Sequence, residues 1–125
     1  MVRYIIEHGH SFKYAIEGLI WVVRTERNFR LQVMIGILVM VLALLFEVDV
    51  VGISLLFFSI FFVLICEMIN TAIEEVVDLA TSEWKKKAKI AKDVSAGMVL
   101  LASMCALGVG LLVLGPVVLT RFFIR

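Results

Sequence analysis

The chain has 125 residues, 62% of them hydrophobic, and a formal net charge of only +1; its mean hydropathy is +1.07. An ordinary soluble domain is about 45–50% apolar, and a water-soluble fold this small buries too little of its surface to hide the excess. One domain with the bilayer as its solvent is therefore expected, and the near-neutral charge excludes a bulk electrostatic attraction to nucleic acid.

The first predicted element is a helix over about 8–27. Phe12, Ala15, Ile16, Leu19, Ile20 and Val23 recur at helical spacing on one face, while Lys13, Glu17 and Arg24 lie mostly elsewhere. With Trp21 at a headgroup position, this pattern reads as an amphipathic helix on the membrane surface. The alternative is a soluble cap packed on the bundle.

Three apolar runs follow: Leu31 to Phe46, Val50 to Cys66, and Val94 to Phe123, the last with Pro116 near its end. At 1.5 Å per residue the first two reach roughly 25 Å, slightly short of a bilayer core, and each is lengthened by its flank. Only helices or closed barrels satisfy the backbone in lipid, and three segments cannot close a barrel. The expected fold is all-α and integral to the membrane. Its spans lie at about 30–47, 50–80 and 92–120, with a loop at about 81–91 and burial ending near Gly115-Pro116. The first run starts well into the chain without a small-residue cleavage site, which argues against a signal peptide. Cys66 and Cys105 lie in apolar segments without metal or pairing spacing and read as small buried hydrophobes.

Charge sets the expected orientation. Arg3, Lys13, Arg24, Arg27 and Arg30 precede the first span, and Lys85, Lys86, Lys87, Lys89 and Lys92 fill the second connection. The tight first connection, Glu47-Val48-Asp49, has no basic residue. The N-terminus and the lysine loop are thus expected to face the cytoplasm. In the third span Ala102, Ala106 and Gly110 recur every fourth residue, a strip that lets helices approach closely within one chain or between chains. Three short helices can hardly enclose a polar site alone, so a homo-oligomer is expected.

The chemistry concentrates where the second run leaves the membrane, in LICEMINTAIEEVVD. Glu67, Asn70, Glu74 and Asp78 fall within an arc of roughly 80°, with Thr71 inside it and Glu75 at its edge. Unpaired carboxylates against lipid are costly, so this face must meet a partner, a cation or water. The plain alternative, strongest for Glu75 and Asp78, is a helix end already out of the membrane with a wet polar face. Glu26, in Arg24-Thr25-Glu26-Arg27-Asn28-Phe29-Arg30, is expected at the same boundary, where Arg24 and Arg30 read as snorkelling anchors. Two carboxylates there suit Mg²⁺, which takes one or two from the protein and completes its shell with water and phosphate. Lys92 offers a point charge for phosphate, and Asp93 reads either as part of that site or as an N-cap of the third span. No Walker loop, kinase glycine loop or HExxH occurs, so any phosphate chemistry uses another design.

Glu67-(x)2-Asn70-Thr71-Ala72-Ile73-Glu74-(x)3-Asp78, followed by Ala91-Lys92-Asp93 before a small-residue helix, resembles the prokaryotic diacylglycerol kinase family of small membrane lipid kinases. The resemblance runs from about Ser11 to Gly115, and Thr25-Glu26-Arg27-Asn28-Phe29 looks most like the Gram-positive, undecaprenol kinase-like branch. It implies a homotrimer in the bacterial inner membrane with a shared cytoplasmic active site. It also implies phosphorylation of a lipid alcohol, undecaprenol ahead of diacylglycerol, by ATP with Mg²⁺. Glu67 would be the catalytic proton acceptor, and Glu26 and Glu74 the metal ligands. Tyr14, Asn70, Asp78, Glu83, Lys92 and Asp93 would bind ATP. Asn28, Phe29, Arg30, Leu31, Gln32 and Ala96, with Glu67, would face the lipid. Where the family often has a basic residue near the N-terminus, this chain reads Glu7-His8-Gly9-His10, leaving Arg3 or His10 as substitutes.

Two other functions compete. A proton- or cation-coupled carrier would distribute carboxylates through membrane depth, whereas here they gather at one boundary beside lysines. An assembly factor without chemistry leaves Glu67, Asn70 and Glu74 unexplained.

Overall fold

The computed structural model describes residues 2–123, with side chains described over 11–121. The candidates Arg3 and His10 lie outside the described side chains. Four helices follow one another: α1 (Val2–Thr25), α2 (Arg27–Leu45), α3 (Val50–Ala80) and α4 (Lys86–Phe123). The last three are long and apolar enough to cross a membrane, with mean hydropathies of 2.1, 2.5 and 2.4. Their outward side chains, such as Leu38, Phe58, Leu101 and Leu112, are exposed within the chain, as expected where lipid rather than protein covers them.

α3 is the central helix. α4 packs along it, α2 packs on it less extensively, and α1 sits on α2. Val63 and Cys66 of α3 bury Ala102 of α4, with Val99 and Ala106 packed alongside. The small-residue strip thus serves contacts within the chain at Ala102 and Ala106. Gly36 brings α2 onto α3, since a Cβ there would stand 2.7 Å from Ile60 Cγ2.

One end of the bundle carries the α2–α3 turn. Glu47 takes a left-handed φ of 55°. Its N–H donates to the Leu44 carbonyl (3.1 Å) and that of Val48 to the Ala43 carbonyl (3.0 Å). This paired closure of a helix end usually employs glycine at the left-handed position. Asp49 then caps α3, its Oδ1 accepting from Gly52 N at 3.0 Å. Arg121 of α4 lies over the Phe46 ring, 5.9 Å from its centroid, at the same end.

The other end carries the α1–α2 elbow and the α3–α4 loop. Glu26 is the extended residue between α1 and α2. Arg30 folds back to donate from Nη1 to the carbonyls of Val23 (3.2 Å) and Arg24 (2.7 Å), satisfying acceptors that a helix C-terminus leaves open. This arginine, read from sequence as a snorkelling anchor, braces the elbow. Among its described side chains, α1 buries Val22 and leaves Phe12, Ile16, Leu19, Ile20 and Val23 exposed.

Three further expectations are corrected. α4 begins at Lys86, inside the segment expected as loop, because its run of lysines, alanines and isoleucine contains no breaker. Asp93 therefore lies within a helix and is not its N-cap. The same helix, expected to about residue 120, runs unbroken through Pro116 to Phe123. Cys66 is buried, but Cys105 is exposed on the outer face of α4.

Candidate active site

At the loop end, polar side chains tie the three long helices together. Glu67 is buried to 4% exposure on an otherwise apolar level of α3. From α2, one turn inside the elbow, Gln32 donates from Nε2 to Glu67 Oε2 at 2.9 Å. Toward the loop, Asn70 donates from Nδ2 to Glu74 Oε1 at 2.9 Å, one turn along α3. Across to α4, the Ser95 hydroxyl lies 2.7 Å from Asn70 Oδ1 and 2.9 Å from the Lys92 carbonyl. Ser95 is 1% exposed. Further out, Lys92 Nζ meets Asp78 Oδ1 at 2.6 Å, and Lys89 pairs with Asp93 along α4. Asn70 is therefore a junction: its donor orients one carboxylate while its acceptor holds the neighbouring helix.

The spacing explains the arrangement. Residues 67, 70, 74 and 78 fall on one face of α3, and burial then grades along it. Glu67 is buried, Asn70 and Glu74 are half-buried, and Glu75 and Asp78 are exposed. The wet-face alternative thus describes Glu75, while Asp78 is exposed but engaged by Lys92.

Two hollows flank this ladder. A recess of about 680 Å³ opens between the end of α3 and the start of α4. Asp78, Glu83, Lys92 and Asp93 line it, together with Trp84, Lys85 and Lys89. The Thr81 hydroxyl holds the loop, accepting from Glu83 N at 3.2 Å. The second hollow is an apolar groove of about 670 Å³ between α2 and α4, with α3 as its floor. Gln32 lines one end, Gly36, Ile60 and Val63 the middle, and Leu111 to Leu119 the far end. From Ser103 to Leu119 it follows α4 for about 24 Å at 1.5 Å per residue.

The other sequence candidates fall as follows. Within the 28–32 run Phe29 is buried and Gln32 half-buried, while Asn28, Arg30 and Leu31 are exposed. Tyr14 and Ala96 are exposed on α1 and α4, outside the linings of both hollows. Glu26 is half-buried at the elbow and makes no side-chain cap hydrogen bond. Among the described residues no three His, Cys, Asp or Glu side chains gather as a metal cage. Sequence reasoning missed Ser95, Trp84 and the groove. Ser95 carried a faint signal, a hydroxyl three residues after Lys92 in a run of small residues.

The fold and this ladder define a small all-helical membrane protein with three apolar candidate spans and a group of polar side chains gathered at one end of the bundle. The prokaryotic diacylglycerol kinase family matches residues 13–114. The chain is 40% identical over 111 residues to a diacylglycerol kinase of Synechocystis sp., covering 88% of this chain and 63% of that protein. It is 35% identical over 106 residues to the undecaprenol kinase of Bacillus subtilis, covering 85% and 86%. To a diacylglycerol kinase of Escherichia coli it is 36% identical over 106 residues, covering 83% and 82%. The chain belongs to the prokaryotic diacylglycerol kinase family.

Proposed function

We propose that this protein is a lipid kinase that transfers the γ-phosphoryl group of ATP to the hydroxyl of a membrane lipid alcohol. The observation that carries this reading is the buried Glu67 beside Gln32 at one end of an apolar groove, with a lysine-bearing recess at the same end of the bundle. The groove takes the lipid chain and brings its hydroxyl to Glu67. Glu67 accepts the hydroxyl proton as the oxygen bonds to the γ-phosphorus and the bond to the bridging oxygen of ADP breaks. The products are the lipid phosphate and ADP, and the proton passes from Glu67 to water.

Phosphoryl transfer of this kind rests mostly on positioning and charge neutralisation. Lys92 and Lys89 serve the phosphates, exchanging the aspartates that engage them in the free protein, while Trp84 offers a ring for the base. Asn70, held by Ser95, keeps Glu74 directed. By donor chemistry, Glu74 and Glu26 would be the residues to hold Mg²⁺. The Glu74 carboxylate is oriented by Asn70 and Glu26 makes no cap bond, two hard oxygen donors for an ion that draws its other ligands from water and phosphate. When bound, that ion neutralises charge on the nucleotide phosphates. The protein sits as a homotrimer in the bacterial inner membrane, with the loop end cytoplasmic as the lysine distribution implies.

Undecaprenol is the preferred acceptor. The polar side chains along the groove are Gln32, Ser59 and Ser103, and the Ser59 hydroxyl already donates to the Leu56 carbonyl at 2.9 Å. A prenol brings one hydroxyl and no ester carbonyls in need of donors. Diacylglycerol, which carries two such carbonyls beside its hydroxyl, is the alternative. The test is incubation of purified protein with labelled ATP, Mg²⁺ and both lipids. Label entering undecaprenol first supports the preferred acceptor, label entering diacylglycerol first selects the alternative, and transfer to neither lipid overturns the kinase reading in favour of a carrier.

A further inference from the structure

We infer that Gln32 is a positioning residue that holds the Glu67 carboxyl in both of its protonation states, an inference that rests on the lipid-kinase reading above. Gln32 on α2 donates from Nε2 to Glu67 Oε2 across 2.9 Å. Its own Oε1 is buried and has no hydrogen-bond partner, the one such side-chain atom among the described residues. An orphaned buried acceptor in a folded protein calls for a physical reason. Helix pairing alone does not supply it. An apolar residue would join α2 to α3 without an unsatisfied oxygen, and a lysine or arginine would pair with the charge.

The amide does what neither replacement could. An ionised carboxylate is only an acceptor, and Nε2–H matches it. Once Glu67 has taken the hydroxyl proton of the lipid, its carboxyl becomes a donor. The terminal torsion of glutamine is broad and roughly two-fold, so a half-turn brings Oε1 to the new O–H. The buried carboxyl is then hydrogen-bonded before and after proton transfer, and its holder adds no formal charge that would weaken it as a base. The orphaned oxygen is the half of the amide that waits for the second state. Gln32 neither gains nor loses a proton. It fixes where the accepting oxygen stands at the end of the groove.

The test compares full-length wild type with Gln32→Met, which keeps shape but removes donor and acceptor, and with Gln32→Leu in case the first folds poorly. Thermal midpoint, KM for the lipid and kcat are measured, then repeated in a Glu67→Asp background. The expected result is a modestly lowered midpoint, since the buried Glu67 carboxyl loses its partner, a lipid KM within about twofold, and a kcat lowered about 10- to 100-fold, the scale of a misplaced reacting group. In the Glu67→Asp background, where the shortened carboxylate no longer reaches the amide, the same substitution costs less than about threefold. Wild-type kcat in Gln32→Met, or an equal loss in both backgrounds, overturns the inference while wild-type transfer leaves the kinase reading standing. Absence of transfer by wild-type protein overturns both.

Discussion

The two ends of α3 are built from different materials. At the turn end, Gly52 lies so close to its neighbours that a Cβ would stand 2.6 Å from Val48 Cγ1 and 2.9 Å from Val113 Cγ1. The bonds there are backbone closures, the Asp49 cap and a Ser54 hydroxyl returned to the Val50 carbonyl of its own helix. At the loop end, Glu67, Asn70, Glu74 and Asp78 engage side chains from α2, α3 and α4 in turn. One end fixes geometry by contact, and the other holds polar groups in place through side-chain partners on neighbouring turns and helices. Substitutions at the loop end should therefore remove activity more than stability, and those at the turn end the reverse.

The sharpest way to break this contrast is Asn70→Leu. It removes the junction that directs Glu74 and holds Ser95, and activity is expected to fall about 100-fold, the upper range for partners that orient metal ligands. The buried Ser95 hydroxyl keeps the Lys92 carbonyl, so stability should fall by only about 1 kcal/mol. Steady-state kinetics and thermal unfolding of the same preparation check both halves, and comparable activity in variant and wild type would dissolve the distinction.

Gly52→Val is the converse at the turn end. Overpacking against Val48 and Val113 should cost about 1–3 kcal/mol and lower the thermal midpoint, with activity per folded molecule unchanged. Reduced kcat in the fully folded variant would mean that the turn end is coupled to the chemistry. The smallest effect is expected from Glu47→Gly. It removes a left-handed strain of roughly 1–2 kcal/mol but frees the unfolded chain, leaving a net gain of about 0.5 kcal/mol with kinetics unaltered. A lower midpoint would contradict the strain at Glu47.

Hydropathy and helical period were enough to read the three spans and the graded carboxylate face, because a residue's lipid preference and its place on a helix are local properties. They also brought Glu67, Asn70, Glu74 and Asp78 onto one face before any contact was known. What escaped was tertiary. Arg30 looked like an anchor because nothing in its spacing reveals the Val23 and Arg24 carbonyls it reaches by folding back. Of the two readings of Asp93, the cap fails because the start of α4 is set by the absence of a breaker after Lys86 rather than by a marked first residue. Ser95 gained its meaning only when α4 packed on α3 at Asn70. The groove belongs to no single helix, arising where α2 and α4 stand apart over α3.

The most direct measurement is phosphoryl transfer to undecaprenol by Glu67→Gln, a substitution that preserves shape and hydrogen bonding but removes the base. The account predicts a thermal midpoint close to wild type and a kcat lower by about 10²–10⁴-fold, the contribution of a positioned general base. A folded Glu67→Gln protein that labels the lipid at the wild-type rate would contradict it.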